Sequence, residues 1–433
     1  MLKIEMLSTG DEVLQGDILD SNAGWLGQQL AEHGLKFSRR QTVADELVDI
    51  IDAMDQAAKR ADWVIVNGGL GPTSDDLSAE AAAKLVGKPL VCFDDWLDKL
   101  QGWYDAQGKS MPQSNVKQAM LPEGSELVDN PIGTACGFVV EHHGARLLFT
   151  PGVPSEFKRM LSDYWFPLLS AYQQQEQQQQ QGQQLGVKRF YTFGLSESSL
   201  SDRLDSMALP QGMRLGYRSA RPTIEVKLFG DTNQPEFATS AQQLAEELGS
   251  HVFSEDRGDW SKYLGELLIA AKAKLALAES CTGGLIASEL VAIPGSSAYL
   301  ERGFVTYSNQ AKMECLGVDE ALLESFGAVS IEVAQAMAKG ALANSEADIA
   351  LSVTGVAGPG GGSDEKPVGT VCFALATPEQ CFSQRLKLAG RSRSAVRLVS
   401  AYVALDMLRR YLTGQEVCAV YDSMQTVDRQ QSH

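Results

Sequence analysis

Histidine is nearly missing from this sequence: among 433 residues there are five, His33, His142, His143, His251 and His433. Beyond residue 251 only His433 is left, so chemistry in the last third cannot rest on a Ser-His-Asp arrangement or a histidine-rich zinc site. A base there must be lysine, tyrosine or a carboxylate. The seven cysteines, Cys92, Cys136, Cys281, Cys315, Cys372, Cys381 and Cys418, form no CxxC pair. That excludes a disulfide framework and points to a reduced, cytoplasmic protein. No apolar run approaches the ~18 residues of a spanning helix, and the opening MLKIEMLSTGDEV lacks the basic-then-apolar pattern of a secretory signal. No membrane partner is expected. Positive charge is short as well, with Lys+Arg 37 against Asp+Glu 55 and a net charge of −18. Residues 1–254 hold 21 basic and 34 acidic side chains, leaving 16 and 21 for residues 255–433, or −13 and −5. Neither part offers the basic face that nucleic acid requires.

What is present is a soluble composition, 44% apolar and 21% charged, long enough for two or three domains. Lys3–Ser8, Phe37–Val43 and Trp63–Asn67 read as strands, and Ser21–His33 and Leu47–Arg60 as helices. This βαβ alternation predicts a mainly parallel sheet covered on both faces, with ligands at the carboxyl ends of its strands. His142-His143-Gly144 stands between GFVVE and ARLLFT, where a hairpin turn is expected. YQQQEQQQQQGQQLG reads as a linker. Residues 187–253 suffice for a small α+β domain. From Trp260 the alternation resumes, closing with an Arg393–Leu412 helix that is apolar on one face.

The first motif is Asn67-Gly68-Gly69-Leu70-Gly71-Pro72-Thr73-Ser74-Asp75-Asp76, between a buried strand and a helix. Glycines there let backbone N–H groups approach an anion. Asp75 and Asp76 would repel a bare phosphate unless a divalent cation bridges them. The alternative is a Gly-Pro turn with an aspartate capping the next helix. Asp11, Glu12 and Asp17 follow the first strand, Asp45 another and Glu156 a third, a pattern compatible with a hard-metal site.

The second motif, Ala278-Glu279-Ser280-Cys281-Thr282-Gly283-Gly284, sits at a strand end and opens a helix. Ser280 is a nucleophile on such a turn or simply an N-cap, and Cys281 is intrinsically more nucleophilic. Either needs a base. Tyr307 closes a strand and Lys312 lies one turn into the next helix, so both can face one cleft; a desolvated lysine loses its proton readily. Taken alone, Lys312 also fits a surface lysine. A third piece, Val353–Gly362, is a glycine-rich loop after a strand.

These pieces resemble the CinA family. GDEVLQGDILDSNAGWL, GGLGPTSDDLS, NPIGTACGF and TPGVPSEF are similar to its N-terminal domain, and AESCTGG, VTYSNQAK and TGVAGPGGGSDEKPVGTV to its C-terminal domain. The resemblance implies two α/β sandwich domains, molybdopterin-binding-like over 1–171 and amidase-like over 258–415. Between them it implies a linker at 172–186 and a KH-like connector at 187–253, which lacks the GxxG loop of RNA-binding KH domains. For the C-terminal domain it implies a nicotinamide-nucleotide amidase without cofactor, converting nicotinamide mononucleotide to nicotinic acid mononucleotide and ammonia. Ser280 would be the nucleophile, Lys312 its base, Tyr307 an aid to proton transfer and Thr354 a positioning group. Glu279, Thr282, Gly283, Gly284, Gly355, Gly358, Arg393 and Arg397 would contact substrate. Arg391-Ser392 departs from the family's Gly-Asp.

For the N-terminal domain the resemblance implies an ADP-ribose pyrophosphatase using a divalent metal, cobalt or magnesium, with potassium assisting. Asp75 and Asp76 would be its catalytic and metal-linked acids, Asp11, Asp45 and Glu156 further ligands, and Gly68, Gly69, Gly71 and Thr73 substrate contacts. No Nudix-like acidic helix is visible. The other readings make the N-terminal domain a pterin- or nucleotide-binding module, or a module for competence or DNA-damage interactions, beside the amidase. A homodimer is expected, with small nucleotides as the ligands.

Overall fold

Short runs of Val, Ile, Leu and Ala become buried strands, and the half-polar stretches between them become helices. The computed structural model describes residues 2–179, 185–204, 206–220, 222–255, 258–388 and 390–432. It divides into two compact units, Met1–Val187 and Lys188–His433.

In the first unit, β1 (Ile4–Thr9) lies between β2 (Phe37–Val43) and β3 (Trp63–Asn67), parallel to both. β4 (Leu90–Cys92) and β5 (Met120–Pro122) form a separate antiparallel ribbon. β6 (Glu126–Val128), β7 (Gly137–His142) and β8 (Ala145–Thr150) complete the main sheet in the order β2-β1-β3-β8-β7-β6. β8 runs parallel to β3, while β7 and β6 are antiparallel additions. The β7–β8 hairpin closes through His143 and Gly144 with φ of 50° and 81°, the turn expected of the His-His-Gly run. Val64 and Val66 of β3 belong to a core with Ile50, Met54 and Ala81. Ile65 between them joins Leu26, Phe157 and Trp165 on the other face. This is the two-residue period of a strand covered on both sides. Asp20 caps the helix Ser21–Glu32 through Ala23 N–H at 2.8 Å, and accepts the Ser8 hydroxyl at 2.7 Å. Such a cap is worth about 1 kcal/mol.

The 172–186 stretch expected as linker is corrected in part. The helix Phe166–Gln179 runs into it, β9 (Leu185–Phe193) begins inside it, and residues 180–184 lie outside the described residues. Glutamine is a good helix former, so a helix started on the buried Phe166 and Leu169 continues through it.

In the second unit, β9, β10 (Arg214–Ala220), β11 (Thr223–Asp231) and β12 (Val252–Ser254) form a sheet ordered β10-β11-β9-β12. Helices Glu197–Leu204 and Pro235–Leu248 bring Leu200, Leu204, Leu244 and Leu248 into its core. The larger sheet contains β13 (Leu275–Glu279), β14 (Leu300–Val305), β15 (Ile349–Gly355), β16 (Thr370–Ala376), β17 (Cys381–Lys387) and β18 (Gln425–Ser432). Its order is β14-β13-β15-β16-β17-β18, with β13 parallel to both neighbours and the remaining pairs antiparallel. β18 lies beyond residue 415, so the sheet takes in the tail.

The helix Arg393–Leu412 is buried on more than the single face expected. From Val399 to Arg410 only Tyr402 keeps partial exposure. Asp406 accepts from Arg409 Nε at 2.8 Å and Arg410 Nε at 2.7 Å, and both guanidinium groups donate to Ser250 O. This satisfied polar cluster fixes the smaller sheet against the larger one. Among the described residues no helix is long and apolar enough to cross a membrane.

Candidate active sites

The carboxyl ends of β13, β14 and β15 bring residues 279–284, 306–312 and 354–358 to one edge of the larger sheet. Ser280 N–H donates to Val353 O at 2.9 Å, which fixes the serine at that edge. Gly283 and Gly284, with φ of 63° and 87°, turn the chain into the helix Leu285–Val291. Gly284, not Ser280, occupies the N-cap, so the capping alternative for the serine falls away.

Ser308 caps the helix Asn309–Leu316 through Ala311 N–H at 3.1 Å, which sets Lys312 one turn in. Lys312 Nζ lies 3.1 Å from Ser280 Oγ and 2.8 Å from Thr306 O. The lysine is 1% exposed, and among the described residues no carboxylate pairs with it, so the surface reading fails. Burial pulls its pKa below the ordinary lysine value. The two neutral oxygens around it do not offset the cost of keeping the charge.

Cys281 packs in the apolar core with Leu277 and Ile286. Burial pushes its thiol up to about 12, with Glu279 adding to the shift. A thiol in that state is a poor nucleophile near neutral pH, which leaves Ser280 better placed.

Several expected substrate contacts are corrected. Glu279 is 1% exposed and its carboxylate accepts Ile286 N–H at 3.1 Å and Ala287 N–H at 3.0 Å, so it braces the helix start from beneath the sheet. Successive strand residues face opposite sides, which is why Glu279 and Ser280 part. Arg397 donates to Thr282 O from Nη2 at 2.8 Å and from Nε at 3.3 Å, bracing the turn. Thr282, Gly283, Gly284, Gly358 and Arg397 do not line the cavity beside Ser280. That cavity, about 230 Å³, is lined by Ser280, Cys281, Tyr307, Asn309, Lys312, Thr354, Gly355 and Arg393, with Ala328, Val329 and Ala357. Tyr307 is exposed, and its hydroxyl accepts Arg393 Nη2 at 2.9 Å; its hydrogen bond goes there and not to Ser280 or Lys312. Arg393 Nη1 also donates to Gly358 O at 2.6 Å. The buried Thr354 donates its hydroxyl to Ala328 O at 2.7 Å. Asn309, Ala328 and Val329 were missed. Asn309 stands inside VTYSNQAK, where its amide was the available signal.

At the second site, Asn67 at the end of β3 donates to Pro151 O at 2.7 Å and Thr150 Oγ1 at 3.2 Å, and accepts Asn22 Nδ2 at 3.0 Å. This ties the end of β3 to the end of β8 and to the first turn of the helix Ser21–Glu32. Gly68 has φ 112°, and a Cβ there would lie 2.7 Å from Thr9 O; at Gly69 it would lie 2.5 Å from Ser78 Oγ. Only glycine fits. A cavity of about 540 Å³ follows, lined among others by Glu12, Asp45, Gly68, Gly69, Gly71, Asp75, Asp76 and Glu156. Asp11 and Thr73 do not line it. Asp11 N–H donates to Asp45 Oδ2 at 3.2 Å, and Thr73 N–H to Asp76 Oδ2 at 2.8 Å. Asp76 thus closes its own turn and does not cap the helix Ser78–Val86, whose N-cap is Leu77. Glu156 accepts Asn130 Nδ2 at 2.7 Å. The Asp45 carboxyl is raised by burial and by the charges of Asp11, Glu12 and Asp75.

Four of the five expected acids, Asp45, Asp75, Asp76 and Glu156, therefore share a cavity without forming a closed cage. Among the described residues the one group of three His, Cys, Asp or Glu ligand atoms within 4.8 Å of each other is elsewhere, at Asp55, His142 and His143. Dispersed carboxylates suit a hard cation that keeps water or phosphate ligands, more than one enclosed by protein.

A profile of the CinA C-terminal domain matches residues 259–412, and one described as "Probable molybdopterin binding domain" matches residues 5–171. The chain is 48% identical over 425 residues to a CinA-like protein of Shewanella amazonensis, covering 98% of this chain and 99% of that relative. It is 45% identical over 425 residues, with the same coverage, to a Shewanella oneidensis protein named nicotinamide-nucleotide amidohydrolase PncC. A crystal structure of the competence/damage inducible protein CihA from Agrobacterium tumefaciens aligns with 44% identity over 37% of this chain and 99% of that one, at a TM-score of 0.34.

Proposed function

The chain belongs to the CinA family, and on that footing we propose that its C-terminal site hydrolyses the carboxamide of nicotinamide mononucleotide to nicotinic acid mononucleotide and ammonia. One observation carries the proposal: a buried lysine, with no counter-ion among the described residues, stands 3.1 Å from the hydroxyl of a serine fixed at a sheet edge. With the amine neutral, the contact runs from Ser280 Oγ–H to Lys312 Nζ, while an Nζ proton stays on Thr306 O and aims the lone pair. Oγ attacks the amide carbon and its proton passes to Nζ. Lys312 then protonates the departing nitrogen, ammonia leaves, and water cleaves the resulting ester with Lys312 again as base. At about 230 Å³ the cavity holds one end of a nucleotide, leaving the phosphate near Arg393 at its wall. The test is ammonia release from nicotinamide mononucleotide. Ser280→Ala should lose at least about 10³-fold in turnover, while Cys281→Ala should stay active; the reverse pattern would hand the reaction to the thiol.

For the N-terminal cavity the reading is hydrolysis of the ADP-ribose pyrophosphate with a divalent cation, supported by the acids lining a glycine-walled cavity and by the crowding of negative charge at Asp45. Asp75, Asp76, Asp45 and Glu156 would hold the ion. When bound, it would neutralise phosphate charge and acidify water. Gly68 and Gly69 let backbone approach the diphosphate, and Ile18, Leu19 and Val153 offer an apolar rim to the adenine. ADP-ribose cleavage should need added magnesium or cobalt and vanish in Asp75→Asn/Asp76→Asn. Metal-independent turnover would sink this reading.

A further inference from the structure

The first unit holds a second group of ligand atoms that neither proposed reaction uses. Asp55 lies near the end of the helix Leu47–Ala58, and His142 and His143 form the corner of the β7–β8 hairpin. Both imidazole Nε2 atoms lie 2.9 Å from the same oxygen, Asp55 Oδ1. Adjacent residues of a strand would point to opposite faces. Here His143 adopts φ 50°, and the two rings instead stand side by side with centroids 4.1 Å apart. The three side chains are between 20% and 43% exposed, so an ion can reach them from solvent.

We propose that Asp55, His142 and His143 bind a divalent cation of the imidazole-preferring class, such as zinc, cobalt or nickel. Each neutral imidazole carries its proton on Nδ1 and turns the Nε2 lone pair to the ion; Asp55 Oδ1 supplies the third ligand and water completes the shell. Donor atoms around a tetrahedral ion with bonds of about 2.0–2.1 Å sit roughly 3.3–3.5 Å apart, so the present 2.9 Å contacts need to open by only a few tenths of an ångström. Two imidazoles and one carboxylate favour these metals over magnesium, which prefers oxygen. The group stands at the amino end of β8, while the acidic cavity lies at its carboxyl end. Six residues of strand separate them, about 20 Å. The ion would therefore staple a helix to a hairpin and take no part in the chemistry at the strand ends. One neighbour opposes it: Lys59 Nζ sits 2.5 Å from Asp55 Oδ2 and competes for the carboxylate.

Titration of the full-length, tag-free protein with zinc chloride, in excess magnesium to occupy oxygen-only acids, tests the site; cobalt absorption reports the donor set. The expected result is one zinc equivalent bound by the unaltered chain and lost in His142→Gln/His143→Asn, asparagine being chosen because it tolerates the left-handed turn. Lys59→Met should bind zinc more tightly than the unaltered chain. Metal-free melting curves establish that each variant is folded. Equal zinc stoichiometry and affinity in the unaltered and His142→Gln/His143→Asn proteins would overturn the proposal and leave an ion-paired corner only. So would a Lys59→Met protein with unchanged affinity, even if the histidine variant fails to fold.

Discussion

The two strand-end sites solve opposite electrostatic problems. The C-terminal one encloses a single lysine, places it on a serine and, among the described residues, gives it no carboxylate, so the two side chains are already in contact. The N-terminal one gathers acids around an open cavity in which Asp76 is tied to Thr73 and Glu156 to Asn130. On the proposed reading a cation and a phosphate would organise its charges. The charge imbalance between the parts of the chain, −13 before residue 254 and −5 after it, follows the same division.

The sharpest way to break that contrast is Lys312→Met. Loss of the base should cut ammonia release by about 10²–10⁴-fold and leave the N-terminal reaction untouched. Stability should move the other way. The folded-state pKa of Lys312 is depressed by burial, so the folded chain binds the proton more weakly than the unfolded chain. That costs stability at every pH below the folded value, and the cost fades as pH rises towards the unfolded lysine pKa. Methionine removes it, so Lys312→Met should melt higher than the unaltered protein at neutral pH. A lower melting temperature there would show that the lysine's hydrogen bonds outweigh its desolvation. Activity should rise with pH along an acidic limb whose midpoint lies below that of free lysine.

A smaller effect is expected at the mouth. Arg393→Ala should raise KM for nicotinamide mononucleotide by roughly 10- to 100-fold, the scale of one hydrogen bond to a charged group, with little change in kcat. An equal loss in kcat would mean that Arg393 acts through Tyr307, whose hydroxyl it holds.

Much of this was legible in the sequence because it rested on period and position. Alternating apolar strands announced two covered sheets, and the shortage of histidine narrowed the C-terminal base before any geometry was known. What could not be read was which way a side chain turns at a loop. Glu279 and Ser280 are neighbours in one motif yet face opposite sides of a strand. Arg397 follows Arg393 by one helical turn but folds back on Thr282 O. Asp11, which opens the short helix Asp11–Leu14, and Thr73 stand next to lining residues and miss the cavity, since the local turn and not spacing decides where a side chain ends. β18 was hidden because a polar edge strand such as QTVDRQQS carries little apolar alternation to betray it.

The measurement that bears most directly on the serine–lysine pair is the covalent intermediate. Acid-quenching the full-length protein during turnover of nicotinamide mononucleotide, followed by peptide mass spectrometry, should show the substrate less ammonia esterified to Ser280. The same adduct on Cys281, or turnover in a Ser280→Ala protein at the unaltered rate, would contradict the account.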